Sequence, residues 1–584
     1  MPTITLSHAM MSRIQRLNGT NHDKNILSDL LPRMGCPVEL NNDDDIEIEV
    51  FPDRPDLLSH ETMAKAVRSF QGIYSEDEDI DVSSSGIRIS VGNGIEDVRP
   101  IILGAVVRGV NTGNSSSERD SFIQSLMDHQ EKLHMTLGRK RSFASIGVHD
   151  LSKLEWPFRY EAVSGDFSFQ PLASEDVMSI SEILEGHPKG LEYSKLMDGL
   201  ESFPVILDSK DEVVSFPPII NGSHTTVSEE TKDFFIDVTG FDMIACETCL
   251  LLVSLSLSEL GGMVESVEIY DAGGSIIETP NFSNKKHRVP NRLIQKILGI
   301  ELSDIEIGDA IRRMGGTLLE SRTVTHGSER AERWSDCVVG EREHVFSMPR
   351  WRSDIMHPID VVEDIAIGFG YDNLPDILSS VHIDASPLKS SNLYRRIRMS
   401  LRSVGLQEIQ SLTLSNERDQ FEKTRWPVIS EATVISNPIT VDHTLLRQYI
   451  FPSLMNLLSS NRHHELPQRV YELGEVVHGG NNRTRVSWAC AEAGAGFSTA
   501  KGIVQSLLRD LGAVSSEISF EPTPDNMGPW INGRGALVLI GGQEIGEFGE
   551  VSPEVMSLFG LRSPIHAGEF DVDMISKTVK DPIH

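Results

Sequence analysis

The segment of residues 352–364 has the residue types and spacing of a cation-binding site. It reads RSDIMHPIDVVED, and Pro358 suits the first turn of a helix. The acidic side chains of that helix are Asp360, Glu363 and Asp364. Because they stand at positions i, i+3 and i+4, they project from one face, and Asp354 can fold back onto that face from the preceding loop. Oxygen ligands suit a hard cation, and Mg2+ is the usual one.

Two other interpretations of this acidic segment remain open. Acidic residues in the first turn of a helix offset the positive end of the helix dipole and need no metal. The segment could also be the active site of a magnesium-dependent hydrolase. That enzyme would need a phosphate-binding loop or basic partners, and the sequence contains neither G-x-x-x-x-G-K-[ST] nor G-x-G-x-x-G.

Cys246 and Cys249 form the one C-x-x-C motif of the chain, inside the apolar stretch 243–255. A zinc site would need two further ligands at comparable spacing, and none follows nearby. Free cysteine is among the most buried residue types, so we expect two buried thiols.

Length and composition limit the classes of protein to which this chain can belong. A chain of 584 residues is too long for one hydrophobic core, so several domains are expected. The net charge of −33 argues against a general nucleic-acid binder, although local basic clusters at residues 138–141, 284–288 and 395–402 leave binding of a particular nucleic acid open. The sequence shows no signal peptide and no apolar run of membrane-spanning length, which predicts a cytoplasmic protein without membrane contact.

The elements that would position these residues begin with a strand at 45–51 and a helix after Ser59, followed by an acidic, serine-rich linker at 75–85. A mixed α/β block then runs to about residue 273, with a strand at 101–110, a helix at 122–133 and a strand at 234–239.

Two short helices follow, and Ser303 with Glu306 forms a capping box for the second. A strand at 343–348 completes a winged helix-turn-helix pattern. After Pro375 the sequence predicts an α+β domain with an antiparallel sheet, whose first helix sets apolar residues opposite a row of arginines.

Several motifs, in a fixed order along the whole chain, resemble one family. They are FPDRPDLLS at 51–59, QEKLH at 130–134, SIGVHD at 145–150, PPIING at 217–222, DVTG at 237–240, the acidic segment, SNPI at 436–439 with Leu446-Arg447, and YELGE at 471–475. On these the chain is identified as a member of the β-subunit family of phenylalanyl-tRNA synthetase, in its short archaeal and eukaryotic form.

The resemblance implies an α+β protein of four modules. These are an N-terminal module at 1–90, an α/β editing module at 91–273, a winged helix-turn-helix-like metal module at 274–375, and a class II synthetase-like antiparallel-sheet domain at 376–584. It also implies an α subunit as partner in an α2β2 heterotetramer, with tRNA(Phe), and with ATP and L-phenylalanine bound through that α subunit.

The resemblance further implies a magnesium site that braces a loop and a helix. Its ligands fall on Asp354, Asp360, Glu363 and Asp364. No residue of this chain is expected to bind another cofactor.

The resemblance implies that the chain hydrolyses mischarged Tyr-tRNA(Phe). An apolar pocket discriminates only about a hundredfold against an added hydroxyl, so a hydrolytic correction is useful. The expected editing residues are Asn221 and Asp237, with hydrogen bonds contributed by Ser223, His224 and Thr225. If the resemblance is set aside, residues 221–222 are interpreted as an ordinary turn, and Asp237 is interpreted as a carboxylate at the end of a strand. The alternative is therefore a purely structural scaffold with an inactive editing site.

The last domain is expected to be catalytically silent. A class II active site needs arginines on the ATP phosphates. The segment GEFGEVSP at 546–553, where one is expected, contains no arginine. Arg469 either mimics the other arginine or is a residue of the strand surface. The domain would then serve as the interface with the charging subunit.

Overall fold

The computed structural model describes residues 3–73, 80–271, 273–375 and 385–579. It is a mixed α/β chain that divides into two compact units, residues 1–378 and 379–584. None of the described helices combines the length and the apolar character that a membrane crossing requires.

The first unit opens with a three-stranded antiparallel sheet and three helices. Their bounds are β1 Thr3–Ser7, α1 His8–Leu17, α2 Lys24–Arg33, β2 Val38–Asn41, β3 Asp45–Glu49 and α3 His60–Phe70. The sheet order is β1-β3-β2. The predicted helix after Ser59 is confirmed, because the Ser59 hydroxyl accepts the Thr62 amide at its N-terminus and Met63 and Val67 are buried.

A ten-stranded sheet with four helices forms the centre of this unit. Its elements are β4 Val82–Val91, β5 Ile101–Arg108, α4 Ser116–Met135, β6 Ala144–Asp150, β7 Phe158–Val163, β8 Ser168–Phe169, β9 Met178–Ser179, α5 Ile180–Gly186, α6 Pro188–Tyr193, β10 Phe203–Leu207, β11 Val213–Phe216, β12 Ile220–Asn221, β13 Phe234–Gly240, α7 Met243–Ser258, β14 Met263–Tyr270 and β15 Ile276–Thr279. The order is β12-β11-β10-β7-β4-β14-β5-β13-β6, with β15 on β14; β8 and β9 pair separately. Helix α7 packs on β5 and β13 and is buried along most of its length.

Strand β4 corrects the predicted linker. Residues 82–84 pair with β14, so this serine-rich stretch is part of a strand, while residues 75–79 lie outside the described residues. Strand β7 pairs only with residues 89–91, which leaves the first half of β4 with one neighbour and with Ser83 and Ser84 exposed. Polar residues are tolerated on such an edge, although their composition alone predicts a linker. The predicted boundary at residue 90 falls inside β4, and β15 extends the sheet past residue 273.

The last part of the first unit is a three-stranded antiparallel sheet with three helices. Its elements are β16 Lys285–Pro290, α8 Asn291–Leu298, α9 Asp304–Arg313, β17 Thr317–Thr323, β18 Arg342–Met348 and α10 Pro358–Phe369. The order is β16-β18-β17. The two predicted helices are confirmed: α8 ends at Gly299 with φ 71°, and Ser303 and Glu306 form the capping box of α9.

The second unit is built on a seven-stranded sheet. Its elements are α11 Lys389–Ser403, β19 Gln407–Glu408, β20 Leu414–Ser415, β21 Leu445–Leu446, α12 Phe451–Ser460, β22 Gln468–His478, β23 Asn481–Ala491, α13 Phe497–Asp510, β24 Ile518–Pro522, β25 Trp530–Ile540, β26 Gln543–Val551, α14 Pro553–Leu558, β27 Ile565–Asp571 and α15 Val572–Thr578. The order is β19-β22-β23-β27-β26-β25-β24, antiparallel except for β19 on β22. The predicted antiparallel sheet is therefore present within 385–579.

Candidate functional site

Asp237 lies in the middle of β13, which pairs with β5 on one side and with β6 on the other. Its Oδ2 is 2.7 Å from Nε2 of His149, and the two side chains are 2% and 0% exposed. The other ring nitrogen of His149 is 2.9 Å from Oγ1 of Thr225, which donates to the Gly222 carbonyl at 3.0 Å. A buried hydrogen-bond chain thus joins the central strand to the loop after Asn221.

Asn221 is half-buried and ends the short strand β12. Its Oδ1 accepts the Ser215 hydroxyl at 3.3 Å, and its carbonyl accepts the Leu172 amide at 2.9 Å. Among the described residues, Asn221 makes no hydrogen bond to Asp237. The connection between the two predicted editing residues runs through Thr225 and His149.

The other residues predicted in this loop have different environments. The Ser223 amide donates to the Gln170 carbonyl at 2.9 Å. Nε2 of His224 is buried and has no hydrogen-bond partner in the described part of the chain. Burial lowers the pKa of His224, so the imidazole is neutral near pH 7 and can accept a hydrogen bond.

His149 and Gly147 have no role predicted from the sequence, although both lie in the motif SIGVHD. Gly147 stands directly opposite Asp237 in the β6–β13 pairing. A Cβ atom at residue 147 would lie 2.1 Å from Oδ2 of Asp237 and 2.7 Å from Nε2 of His149. The contact between these two side chains therefore requires glycine at this position. The alternation of a strand, which puts residues 147 and 149 on one face, was the signal available in the sequence.

The acidic segment surrounds a buried arginine. Nη2 of Arg352 lies 2.7 Å from Oδ2 of Asp354 and 2.9 Å from Oδ1 of Asp364, and the arginine side chain is 2% exposed. Asp360 accepts the amides of Met356 and His357 at the start of α10, at 2.9 and 2.6 Å. Arg352 therefore supplies one of the positive charges that carboxylates at this spacing require. Arg352 belongs to the same segment, but no role was predicted for it.

The four predicted metal ligands line one cavity of about 590 Å³, together with Asp53 from the loop after β3. Burial raises the pKa of Glu363, and the neighbouring charges of Asp53 and Asp364 raise it further. Burial also raises the pKa of Asp364, against the opposing effect of Arg352. Burial is the main cause of both shifts, and the repulsion between neighbouring carboxylates adds to it even though Arg54 and Arg352 also line the cavity.

This cavity fits a hydrated hard cation. All its predicted ligand atoms are oxygens, and the buried Oδ2 of Asp364 has no hydrogen-bond partner in the described residues. No three of the four predicted ligands bring oxygens within 4.8 Å of one another in that part of the chain, so they form an open lining and not a closed cage. Mg2+ retains several waters and suits such a lining.

The C-x-x-C motif lies in α7, where both thiols are buried and free. Burial raises the pKa of Cys246 to about 12, and it raises the pKa of Cys249 as well. Neither thiol belongs to a cluster of metal-binding side chains in the described residues. The interpretation as buried thiols is confirmed.

In the second unit two arginines of low exposure are paired with glutamates of the sheet. Nη2 of Arg447 lies 2.6 Å from Oε1 of Glu472, and both side chains are 2% exposed. Nη1 of Arg485 lies 3.0 Å from Oε1 of Glu569. The segment at 546–553 crosses from β26 into α14 and has no arginine.

Arg469, the other arginine considered from the sequence, is 40% exposed and lies 2.6 Å from Glu492. A guanidinium that is already paired with a carboxylate has no net charge left for a nucleotide phosphate. All three arginines are paired in this way, which is the opposite of an open phosphate-binding site.

Comparison with known families places these sites in a class of proteins. Residues 98–248 match the B3/4 domain, residues 288–371 match the tRNA synthetase B5 domain, and residues 374–572 match the CLM domain of the phenylalanyl-tRNA synthetase beta chain. The B5 and CLM domains are both domains of tRNA synthetases. The Asp237 network lies within the B3/4 match, and the acidic segment lies within the B5 match.

Relatives over the whole length narrow the class to one family. The chain is 38% identical to the phenylalanine–tRNA ligase beta subunit of Methanococcoides burtonii, over 98% of this chain and 100% of that one. It is 38% identical to the corresponding subunit of Archaeoglobus fulgidus, over 99% of each chain. The chain belongs to the β-subunit family of phenylalanine–tRNA ligase, an aminoacyl-tRNA synthetase.

A solved structure supports the same family. An N-terminal fragment of the phenylalanyl-tRNA synthetase beta subunit from Pyrococcus horikoshii matches this chain with a TM-score of 0.55 at 29% identity. The match covers 63% of this chain and 99% of the fragment.

Proposed function

We propose that this chain is the non-charging β subunit of a phenylalanine–tRNA ligase. With a separate α subunit, in an α2β2 assembly in the cytoplasm, it forms Phe-tRNA(Phe) from L-phenylalanine, ATP and tRNA(Phe), releasing AMP and diphosphate. ATP and phenylalanine bind through the α subunit. The pairing of Arg447, Arg485 and Arg469 with glutamates supports a silent second unit, because adenylate formation needs free positive charge around the phosphates.

The first unit carries the second activity, hydrolysis of mischarged Tyr-tRNA(Phe). The buried chain from Asp237 through His149 to Thr225 carries this proposal, since it fixes a carboxylate beside the loop that holds Asn221. In this role Asp237 accepts a hydrogen bond from the tyrosine hydroxyl or from the attacking water, and Asn221 orients the substrate. A site built to hold a hydroxyl rejects the analogue that lacks it, which protects the correct Phe-tRNA.

Magnesium has a structural role in this proposal. Asp354, Asp360, Glu363 and Asp364 hold the ion in the acidic cavity, where it adds positive charge to that of the arginines in the lining and faces the unpartnered Oδ2 of Asp364. These side chains and the ion together hold the loop at 352–357 against α10.

A second candidate function is a structural scaffold with an inactive editing site. One observation favours it: the Asp237 side chain is 2% exposed and already bonded through Oδ2, as a buried structural carboxylate would be. Under this alternative Asp237 stabilises the sheet and contacts no substrate.

Two assays test the proposal. Charging of tRNA(Phe) is measured with this chain alone and with the α subunit added, and activity only in the mixture is expected. Charging of tRNA(Phe) by this chain alone would contradict the proposal that the second unit is catalytically silent. If neither the chain alone nor the mixture charges tRNA(Phe), and no stable complex forms, the proposed function is contradicted.

Hydrolysis of Tyr-tRNA(Phe) is then measured for the assembled enzyme with Asp237→Asn, which keeps the shape and removes the charge. Hydrolysis is expected to fall by about a hundredfold or more while charging is retained. The matched control is Asp128→Asn, an exposed carboxylate on α4 of the same module. Unchanged hydrolysis in Asp237→Asn would favour the scaffold.

A further inference from the structure

A group of three metal-binding side chains lies at the β12-β11-β10 edge of the ten-stranded sheet. Asp208, Glu212 and His224 each bring one ligand atom within 4.8 Å of the other two. Within the described ranges, no other set of three histidine, cysteine or acidic side chains meets that condition. None of the three lines the acidic cavity in which we place magnesium, so this group is a separate candidate site.

The turn between β10 and β11 positions the two carboxylates. Asp208 directly follows β10, and Glu212 directly precedes β11. The Asp208 amide donates to the Glu212 carbonyl at 3.0 Å. Oδ1 of Asp208 accepts the amides of Lys210 and Glu212 at 2.8 and 3.0 Å. These hydrogen bonds close the turn and fix the orientation of the Asp208 carboxylate.

The loop after β12 packs against the same hairpin and brings His224 to the turn. The Gly222 amide donates to the Val214 carbonyl at 3.0 Å. A Cβ atom at Gly222 would lie 1.9 Å from the Val213 carbonyl oxygen, so this close backbone contact requires glycine. Nε2 of His224 then lies 3.8 Å from Oε2 of Glu212. Backbone contacts therefore hold the three side chains near one another.

Two atoms in this group have no protein partner in the described part of the chain. Nε2 of His224 is buried and makes no hydrogen bond there. Asp208 is 1% exposed, and only its Oδ1 accepts hydrogen bonds from described residues, which leaves Oδ2 unpaired. Buried polar groups are nearly always paired, and an exception indicates a water or an ion as the partner.

Neither carboxylate of the group forms an ion pair with a lysine or an arginine of the described residues. Within 4.0 Å, the one basic side chain next to Glu212 is His224. Lys210 lies in the turn itself, but its Nζ is paired with Oε1 of Glu155 at 2.6 Å. Two carboxylates thus meet one imidazole, and a divalent cation would offset the repulsion between them.

The donor set selects the class of cation. Imidazole nitrogen suits Zn2+ and the other late first-row metals, whereas Mg2+ prefers oxygen ligands. Zn2+ holds nitrogen and oxygen at about 2.0–2.2 Å, so two ligand atoms of a tetrahedral site lie about 3.3 Å apart. The observed 3.8 Å between His224 and Glu212 is close to that spacing. Glu212 is 57% exposed, so its side chain can make the small adjustment.

We propose that Asp208, Glu212 and His224 bind one divalent cation of the zinc class, which ties the β10–β11 turn to the loop after β12. Three protein ligands leave a coordination position for water, and the exposure of Glu212 lets the ion exchange with solvent. Thr225 follows His224 and contacts His149 at 2.9 Å, so the ion also orders the loop end of the buried hydrogen-bond chain.

This inference goes beyond the proposed function and does not depend on it. It gives His224 the role of a metal ligand, in place of the hydrogen bond to substrate that the family resemblance implies. The site would be present in a subunit with an active or an inactive editing site.

The first test is a calorimetric titration of the full chain with Zn2+ at constant excess Mg2+. The variants are Glu212→Gln, which keeps the shape of an exposed side chain, and His224→Ala. The matched controls are Glu175→Gln and His326→Ala, which change exposed residues of the same unit outside the group.

The unchanged chain and both controls are expected to bind one Zn2+ with the same Kd. Each variant of the group should raise that Kd about a hundredfold or more, because even the loss of a group behind a ligand costs about 10–100-fold. An equal Kd in the unchanged chain and in the variants would overturn the inference, and so would the absence of measurable Zn2+ binding.

Hydrogen exchange then locates the bound ion. Zn2+ should slow amide exchange severalfold in residues 208–216 and 222–231 of the unchanged chain and should have no effect there in Glu212→Gln. Slowing confined to residues 352–364 would place the ion in the acidic cavity and overturn the inference. If His224→Ala does not fold, Glu212→Gln decides the test. Neither measurement uses tRNA, so a failure of the proposed function leaves the result unchanged.

Discussion

Gly147 shows how one residue determines the geometry of the Asp237 network. It stands opposite Asp237 on the neighbouring strand, and a Cβ atom there would lie 2.1 Å from the Asp237 carboxylate. His149, two residues further along the same face, contacts that carboxylate at 2.7 Å. A methyl group at position 147 would therefore separate the two side chains.

Gly147→Ala is expected to lower the hydrolysis of Tyr-tRNA(Phe) about a hundredfold, because a displacement of about 1 Å at a reacting group costs that much. Phenylalanine charging by the assembled enzyme should be retained. The measurement is deacylation of Tyr-tRNA(Phe) under single-turnover conditions.

The control for this variant is Gly186→Ala in α5 of the same module, where an added Cβ meets no atom within 4 Å. It should hydrolyse normally. Full hydrolysis by Gly147→Ala would show that the contact between Asp237 and His149 is not needed for the reaction.

At this scale the sequence predicted Asp237 and Asn221, through the family resemblance, and not the network between them. Thr225 lies 76 residues after His149. The contact of His149 with Asp237 depends on the pairing of β6 with β13, which the alternation of either strand alone does not specify.

Helix α10 is the element whose start and acidic face were predicted most closely from the sequence. Proline at residue 358 begins the helix, and its acidic residues face one cavity. The inward position of Arg352 was not predictable, because a long arginine side chain in a loop can reach solvent as easily as the core. Local spacing indicates where carboxylates gather, and tertiary packing decides which cation neutralises them.

Removal of magnesium is expected to destabilise the region around α10. A ligand that binds only the folded state stabilises it by about 2.7 kcal/mol at a hundred times its Kd. Chelation should therefore lower the melting temperature of the full chain, and added magnesium should restore it. Thermal unfolding followed by circular dichroism checks this.

Two variants make that measurement specific. Glu363→Gln should lose the response to magnesium, because Glu363 is a proposed ligand with a pKa raised by burial and by neighbouring carboxylates. Asp309→Asn, an exposed carboxylate on α9, should keep it. An equal response in all three proteins would mean that magnesium acts elsewhere.

The whole molecule carries 86 acidic residues against 53 basic ones. Such an excess destabilises the compact state through self-repulsion. Salt shortens the reach of that repulsion, from about 10 Å at 0.1 M to about 3 Å at 1 M. Stability and RNA binding should therefore respond to salt in opposite directions.

We expect the free energy of unfolding to rise between about 0.05 M and 1 M NaCl at constant magnesium, while the affinity for tRNA falls over the same range. Urea unfolding and RNA titrations at matched salt concentrations measure the two trends. A fall in stability with salt would mean that surface ion pairs, such as Arg159 with Asp211, outweigh the repulsion.

At the scale of the whole molecule, composition predicted a linker where part of the stretch is a strand. Residues 82–84 have the composition of a linker and the structure of a strand, because pairing with β14 satisfies their backbone. Backbone pairing between distant segments leaves no local mark on a polar sequence.

The pairing of Arg447 with Glu472 limits how this protein can evolve. Both side chains are almost fully buried, so freeing the arginine for a ligand would require the loss of its glutamate. An isolated buried charge costs about 3–5 kcal/mol, a large part of the stability of a typical domain. Loss of either residue alone would leave the other charge buried and unpaired, so single substitutions at this pair are opposed. Natural selection for stability alone would therefore preserve the pair.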